Sequence, residues 1–278
     1  MTSPSLPVAV PTRARPAALA RCLRALGAQT IAAELEVIVV CDGDEHLATV
    51  AEVVRRAPAA RLVRQERAGP GAARNVAAAA ARAPIVCCTD DDCEPRPEWA
   101  ERLAAAIERG ADAAVGRTVN AEPQSALASA SQLVVTHLEE RTRREGRVYG
   151  AANNLGCRTS VLREVPFDPR YSFAGGDRDW CVRVAEGALE LVYEPEALVL
   201  HRQSLGLASF WRQQVAYGRG AFRFRSSRGS PLRLERPGFY GSLALQAAGG
   251  GPAVAALVLL AQAATAAGFV REAAALRR

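Results

Sequence analysis

Three consecutive carboxylates, Asp90, Asp91 and Asp92, follow the apolar run Ile85–Thr89 and precede Cys93-Glu94-Pro95. Crowded at the end of a buried strand, they repel one another and raise each other's pKa unless a cation lies among them. A hard divalent ion, Mg2+ or Mn2+, takes few protein oxygens and completes its shell with phosphate oxygens and water. Without an ion, the run reads as a solvated acidic turn or a helix cap before Pro97. Asp42 ends a second apolar run, VIVVCD, where a carboxylate accepts hydrogen bonds from a base or ribose. Gly69-Pro70-Gly71 supplies a turn permissive enough to approach a ligand, and Arg74 is placed to pair with a nucleotide or phosphate. Read alone, GPGAARN is also an ordinary loop entering a helix. It has neither the GxGxxG spacing of a dinucleotide fold nor the GKS or GKT of a phosphate-binding loop.

These residues need a scaffold, and the first half of the chain provides its pattern. Strand-like runs at 6–11, 36–41, 60–65 and 85–89 alternate with helical ones at 15–26, 46–56, 71–82 and 97–109. Short apolar runs separated by amphipathic helices predict βαβ units and a mainly parallel sheet, whose ligands belong at the carboxyl ends of the strands. Thr12 and Arg13 follow the first run, Asp42 the second and Asp90–Asp92 the fourth, where that rule wants them.

From about Gly116 a second half begins. It holds a long helical stretch at 125–145, a polar segment at 150–157 and the cluster Gly175-Gly176-Asp177-Arg178-Asp179-Trp180. Two strands are expected at 189–193 and 197–201, then a helix at 207–225 carrying Arg212 and Gln213. Residues 243–270 hold no charge, and Gly249-Gly250-Gly251-Pro252 breaks them into two helices. About 18 apolar or small residues then remain, near the lower limit for a span. A span, a re-entrant hairpin, an interfacial helix and a soluble hairpin packed on a partner all fit that segment. Arg236 before it and Arg271, Arg277 and Arg278 after it suit an anionic membrane face.

The ordered blocks VPTRAR, EVIVVCDGD, GPGAARN, TDDDCEP, NNLGCR, GGDRDWCVR and the histidine followed by WRQQVAYGRG resemble the family 2 glycosyltransferases of GT-A fold over roughly Leu6 to Arg225. The resemblance implies that Thr12, Asp42 and Arg74 hold the nucleotide, with Arg13 and Gly69 beside it. It also implies that Asp90 or Asp91 contacts the ribose, that Asp92 ligates the metal and that His201 completes the diphosphate-metal site. Asp177 is the implied general base, although Gly176 stands where the family usually has glutamate. The residue-level alternative for Asp177 and Asp179 is support of a helix start. Asn153 and Asn154 resemble the segment lining the acceptor side, with Asp179, Arg212 and Gln213 as further acceptor-side candidates. A lone histidine or a loop amide is otherwise structural.

The expected architecture is therefore α/β, a GT-A type Rossmann-like sheet flanked by helices, with a C-terminal helical apolar tail. Residues 1–228 form the catalytic domain, 1–116 being its nucleotide-sugar half and 117–228 its acceptor half, and 229–278 form the tail. The expected activity is metal-assisted, inverting transfer from a nucleotide-diphosphate sugar to a saccharide, lipid-linked or small-molecule acceptor. A nucleotidyltransferase is the first rival, disfavoured by the glycine-free Pro11-Thr12-Arg13. A sugar-nucleotide-binding scaffold without activity is the second, and the presence of the aspartates argues against it.

Composition narrows the partners. The 278 residues are 49% hydrophobic, enough for a large core, and all 35 basic residues are arginine, giving a net charge of +6. That excess suits anionic partners. The arginines are nevertheless dispersed among acidic residues without aromatic platforms, so no nucleic-acid partner is expected. Seven cysteines without a CxxC pair point to a reducing compartment, and with no basic, apolar leader at the start the expected location is cytoplasmic, at the inner membrane face through the tail.

Overall fold

The structure is a computed structural model that describes residues 6–231 and 235–276, so Arg277 and Arg278 lie outside the described residues. The elements run β1 (Leu6–Thr12), α1 (Pro16–Gly27), β2 (Leu35–Asp42), α2 (Leu47–Arg55), β3 (Ala60–Gln65), α3 (Pro70–Ala80), β4 (Ile85–Thr89), β5 (Cys93–Pro95) and α4 (Trp99–Glu108). There follow β6 (Ala113–Asn120), α5 (Ala126–Arg144), β7 (Asn154–Arg158), α6 (Thr159–Glu164), α7 (Gly176–Glu186), β8 (Leu191–His201), α8 (Leu207–Ser227), α9 (Pro237–Gly249) and α10 (Pro252–Ala275).

The chain divides into two compact units. The first comprises residues 1–119, 148–172 and 177–201, and the second 120–147, 173–176 and 202–278.

Unit 1 is built on one sheet with strand order β3-β2-β1-β4-β7-β6-β8-β5. β3, β2, β1 and β4 run parallel, as the alternation of short apolar runs and helices requires. Beyond β4 the pairing turns antiparallel, with β7 on β4, β6 on β7 and β5 on β8. Alternate residues of the central strands feed two cores. Val8, Val10, Val37, Val39 and Cys87 face α1, α2 and α4, while Ala9, Ile38, Val40, Val86 and Cys88 face α3, α6 and α7. Burial on both faces explains why these strands read as continuous apolar runs.

The expected pair of strands at 189–193 and 197–201 is one strand, β8, running through Glu194-Pro195-Glu196. Pro195 is exposed there, at a position where a missing N–H is tolerated. β5 and β6 are additional to the expected elements, and the end of the polar segment at 150–157 is β7.

Unit 2 consists of helices. Its core joins Ala130 of α5 and Phe210 of α8 to Phe239, Leu243 and Ala247 of α9 and Val254, Val258 and Ala261 of α10. Gly250 and Gly251 separate α9 from α10, Gly251 taking φ +94° before Pro252 opens the next helix. α10 lies against α8 so closely that a Cβ on Gly218 would sit 1.9 Å from the Thr265 carbonyl oxygen, and one on Gly268 2.0 Å from that of Val215. Glu272 is buried between Arg219 and Arg223 of α8, each donating from Nε at 2.6 Å. Burial alone would raise the Glu272 pKa, but these two hydrogen-bonded guanidinium groups bring it below the usual carboxylate range.

Candidate functional site

The carboxyl ends of β1 and β4 lie side by side because the two strands pair in parallel, Ala9 opposite Cys88. Thr12 therefore reaches Asp91, its Oγ1 donating to Oδ2 at 2.7 Å. Both side chains are buried. Arg15, at the entry to α1, lies over the same carboxylates, 2.5 Å from Asp91 and paired with Asp92. Burial opposes its charge, but Asp92, Asp91 and Asp90 together raise its pKa. Burial, only partly offset by Arg15, pushes the Asp91 carboxyl up to about 7.

β5 brings the third carboxylate to a different partner. Cys93 stands opposite His201 in the antiparallel β5–β8 register, and His201 Nε2 lies 3.5 Å from Asp92. Burial would raise the Asp92 pKa, yet His201 and Arg15 hold it well below the usual range. Burial would lower that of His201, but the hydrogen bond and charge of Asp92 raise it. Ligand atoms of Asp92, Cys93 and His201 all lie within 4.8 Å of one another. The buried Cys93 thiol has its pKa pushed well above the usual value and stays protonated. The donors left for a hard cation are one carboxylate and one imidazole, a set that fits a divalent ion completing its shell with phosphate oxygens.

A second cluster forms around Arg74 in α3. It is buried, ion-paired with Asp90 and 4.0 Å from Asp177, with its guanidinium 5.5 Å from the Phe167 ring centroid. Burial opposes its charge, whereas Asp90 and Asp177 raise its pKa. Asp177 lies in the first turn of α7, where the Ala152 backbone N–H donates to it. Its pKa is raised, first by burial and further by Asp90, with Arg74 and the amide pulling the other way. A mostly buried carboxylate with a raised pKa and an open edge is a competent proton acceptor.

Asp42 ends β2 and accepts from Gln65 Nε2 (2.8 Å), Ala68 N (2.7 Å) and Gly69 N (3.1 Å to Oδ2). Its carboxylate thus shapes the turn before α3. Gly69 takes φ +92° there, and a Cβ would meet the Ser172 carbonyl oxygen at 2.7 Å. Arg13 points to Glu45 at 3.5 Å.

The acceptor-side candidates divide. Asn153 accepts from Thr118 Oγ1 at 3.2 Å. Asn154 is committed inside the sheet: Oδ1 accepts from Trp99 Nε1 at 2.8 Å, and Nδ2 donates to the carbonyls of Arg117 and Ala197. With both amide hydrogens used and 1% exposure, it is out of reach of a sugar hydroxyl. Asp179 is buried against Arg183 Nε (2.7 Å) and Tyr171, a helix-supporting arrangement. In unit 2, Gln213 joins Ser131 and Gln203 in a hydrogen-bonded group, and Arg212 is exposed on α8.

Arg15 and Cys93 escaped the sequence reading. A lone arginine before a helix looks like surface, and a cysteine in a strand looks like a small hydrophobe. The signal for Arg15 was its place inside VPTRAR, directly after β1.

The sequence profile described as Glycosyl transferase family 2 matches residues 8–165. Two curated relatives, both named pre-mycofactocin glycosyltransferase, from Mycobacterium tuberculosis strains CDC 1551 / Oshkosh and ATCC 25618 / H37Rv, are 28% identical over 176 residues. The match takes in 61% of this chain and 36% of each relative, so the chain spans about a third of their length. Among solved structures, S. aureus TarS 1-349 superposes with a TM-score of 0.55 at 18% identity. The match covers 98% of this chain and 91% of that one. Its complex with UDP-GlcNAc gives 0.56 at 19% identity, with the same coverage. At these identities the likeness concerns the fold.

Proposed function

The chain belongs to glycosyl transferase family 2, whose profile covers more than half of its length, and on that premise we propose that it is an inverting glycosyltransferase moving a sugar from a nucleotide-diphosphate donor to an acceptor hydroxyl. The observation that carries this reading is the meeting of Asp92 with His201 at the ends of β5 and β8, and of Asp90, just past β4, with Arg74 of α3 and Asp177 of α7. Ligands of such sheets bind there.

In this reading Thr12, Arg74, Asp90 and Asp91 form the donor side, and Asp42 and Gly69 hold the turn that leads into α3. Arg13 stands at the donor rim, and 1–116 is the nucleotide-sugar half. Asp92 and His201 would hold Mg2+ or Mn2+, which when bound neutralises diphosphate charge. Asp177 takes the proton of the acceptor hydroxyl as that oxygen attacks the anomeric carbon. The bond from that carbon to the diphosphate oxygen breaks, and the electron pair leaves with the diphosphate. A single displacement with one base inverts the configuration.

Asn153 of unit 1 remains an acceptor-side candidate within residues 117–228, and Arg212 and Gln213 of unit 2 are separate candidates. A saccharide or lipid-linked acceptor in cell-surface polysaccharide or glycolipid assembly, reached at the inner membrane face, is supported by the length and apolar composition of α10.

TarS 1-349, of similar fold, was solved with UDP-GlcNAc and with UDP, which makes UDP-GlcNAc the first donor to test. Calorimetry of UDP binding with and without Mn2+ tests the reading. Wild type should bind more tightly with the ion, and Asp92→Asn should lose that increment while keeping the metal-free affinity. Equal affinity of the two proteins in Mn2+ would overturn the metal assignment, and absence of binding by any sugar nucleotide in a mass-spectrometric panel would overturn the donor class.

A further inference from the structure

Every large hydrophobic side chain left exposed among the described residues belongs to unit 2: Phe173, Leu207, Trp211, Tyr240, Leu245, Leu259, Val270 and Leu276. On α10 the exposed positions Ala253, Ala256, Leu259, Ala263, Ala266 and Val270 recur at helical spacing as one stripe. The stripe contains no polar side chain until Arg271. On α9 it continues through Tyr240, Ala244, Leu245 and Ala248. A helix bordered by water shows the opposite pattern, with charge outside and apolar residues inside. Here the buried stripe of α10 contains its one acidic residue, Glu272.

Charge identifies what covers this face. Among the described residues unit 2 has twelve arginines against six acidic residues, a net +6, while unit 1 is net −3. Exposed Arg236 opens α9, and exposed Arg271 closes the stripe. Two copies brought together by so basic a unit would repel. Small residues dominate the stripe, whereas protein interfaces rely on clustered large anchors. An apolar face framed by arginine fits an anionic lipid surface.

α10, with 24 residues, is long enough to cross a bilayer. Its inner face is not free to do so. Crossing would draw Glu272 from between Arg219 and Arg223 and part the backbone contacts at Gly218 and Gly268. We therefore propose that unit 2 docks on an anionic membrane by laying the outer faces of α9 and α10 into the lipid interface, with α10 held on α8 and not spanning. The proposal deepens the membrane-proximal part of the reading above, and it is independent of which sugar is transferred.

Co-sedimentation of the full chain with vesicles of phosphatidylglycerol and phosphatidylcholine, against phosphatidylcholine alone, tests it. At least about tenfold more protein should pellet with the anionic vesicles, and 1 M NaCl or alkaline carbonate should strip it. The triple variant Leu245→Glu, Leu259→Glu, Val270→Glu should lose binding about tenfold. So should Arg236→Glu with Arg271→Glu, which leaves the apolar faces untouched and stands in if the triple variant does not fold. Retention through carbonate would mean a span and overturn the proposal. Equal pelleting of wild type and charge-reversed variant would overturn it too. A concentration-dependent dimer that the triple variant abolishes, with no vesicle binding, would assign the face to a second copy. UDP binding measured on the same preparations separates the two readings: its loss alone strikes the uridine-nucleotide donor and leaves the membrane result standing.

Discussion

Asp177 and Asp179 sit two residues apart in one helical turn, yet their surroundings differ. Asp177 is partly open beside Arg74, whereas Asp179 is buried on Arg183 and Tyr171. Asp177→Asn keeps the volume but cannot take a proton, so turnover should fall about 10²–10⁴-fold with donor affinity unchanged, measured by steady-state transfer and calorimetry. Asp179→Asn should instead lower the melting temperature and spare turnover. Exchange of these phenotypes would move the base to Asp179. The acidic run makes a separate statement about pH. Asp91, raised from 3.8 to about 7, and His201 and Asp177, also raised, bind more protons folded than unfolded. Stability in metal-free buffer should therefore decline as pH rises from about 4 through 7. Asp91→Asn, lacking that proton, should flatten the dependence of melting temperature on pH over this window. An unchanged slope would show that Asp91 titrates normally.

At the scale of elements, two close approaches decide the packing. Gly69 must adopt φ +92° against the Ser172 carbonyl, so Gly69→Ala should cost about 1–3 kcal/mol in chemical denaturation. Gly218→Val forces a side chain onto the Thr265 carbonyl and should destabilise the α8–α10 pair by about 1–3 kcal/mol or more, read as an earlier transition of the helical unit. The sequence made much of this layer legible. β1, β2 and β4 stand out because strands buried on both faces are continuously apolar, and Asp42 and Asp90–Asp92 are conspicuous after β2 and β4. β6, AAVGRTVN, was hidden by its small residues, and β8 by a proline that usually ends a strand. Asn154 is illegible for a different reason. A motif tells which residues recur, not which way an amide points, and here both of its hydrogens face backbone carbonyls.

For the molecule as a whole, the C-terminal helices are part of a core and not an appendage, since Phe239, Leu243 and Val258 pack with Ala130 and Phe210. A chain ending at Arg236 should consequently expose that core and aggregate, whereas point substitutions on the outer faces should stay soluble; light scattering distinguishes them. All seven cysteines are buried thiols confined to unit 1. A thiol-specific reagent added to native protein thus finds nothing to modify until that unit opens, and the rate of labelling becomes a clock for its transient unfolding. Sugar nucleotides that bind the closed state should slow the clock, which turns an inert feature of the core into a reporter of ligand occupancy.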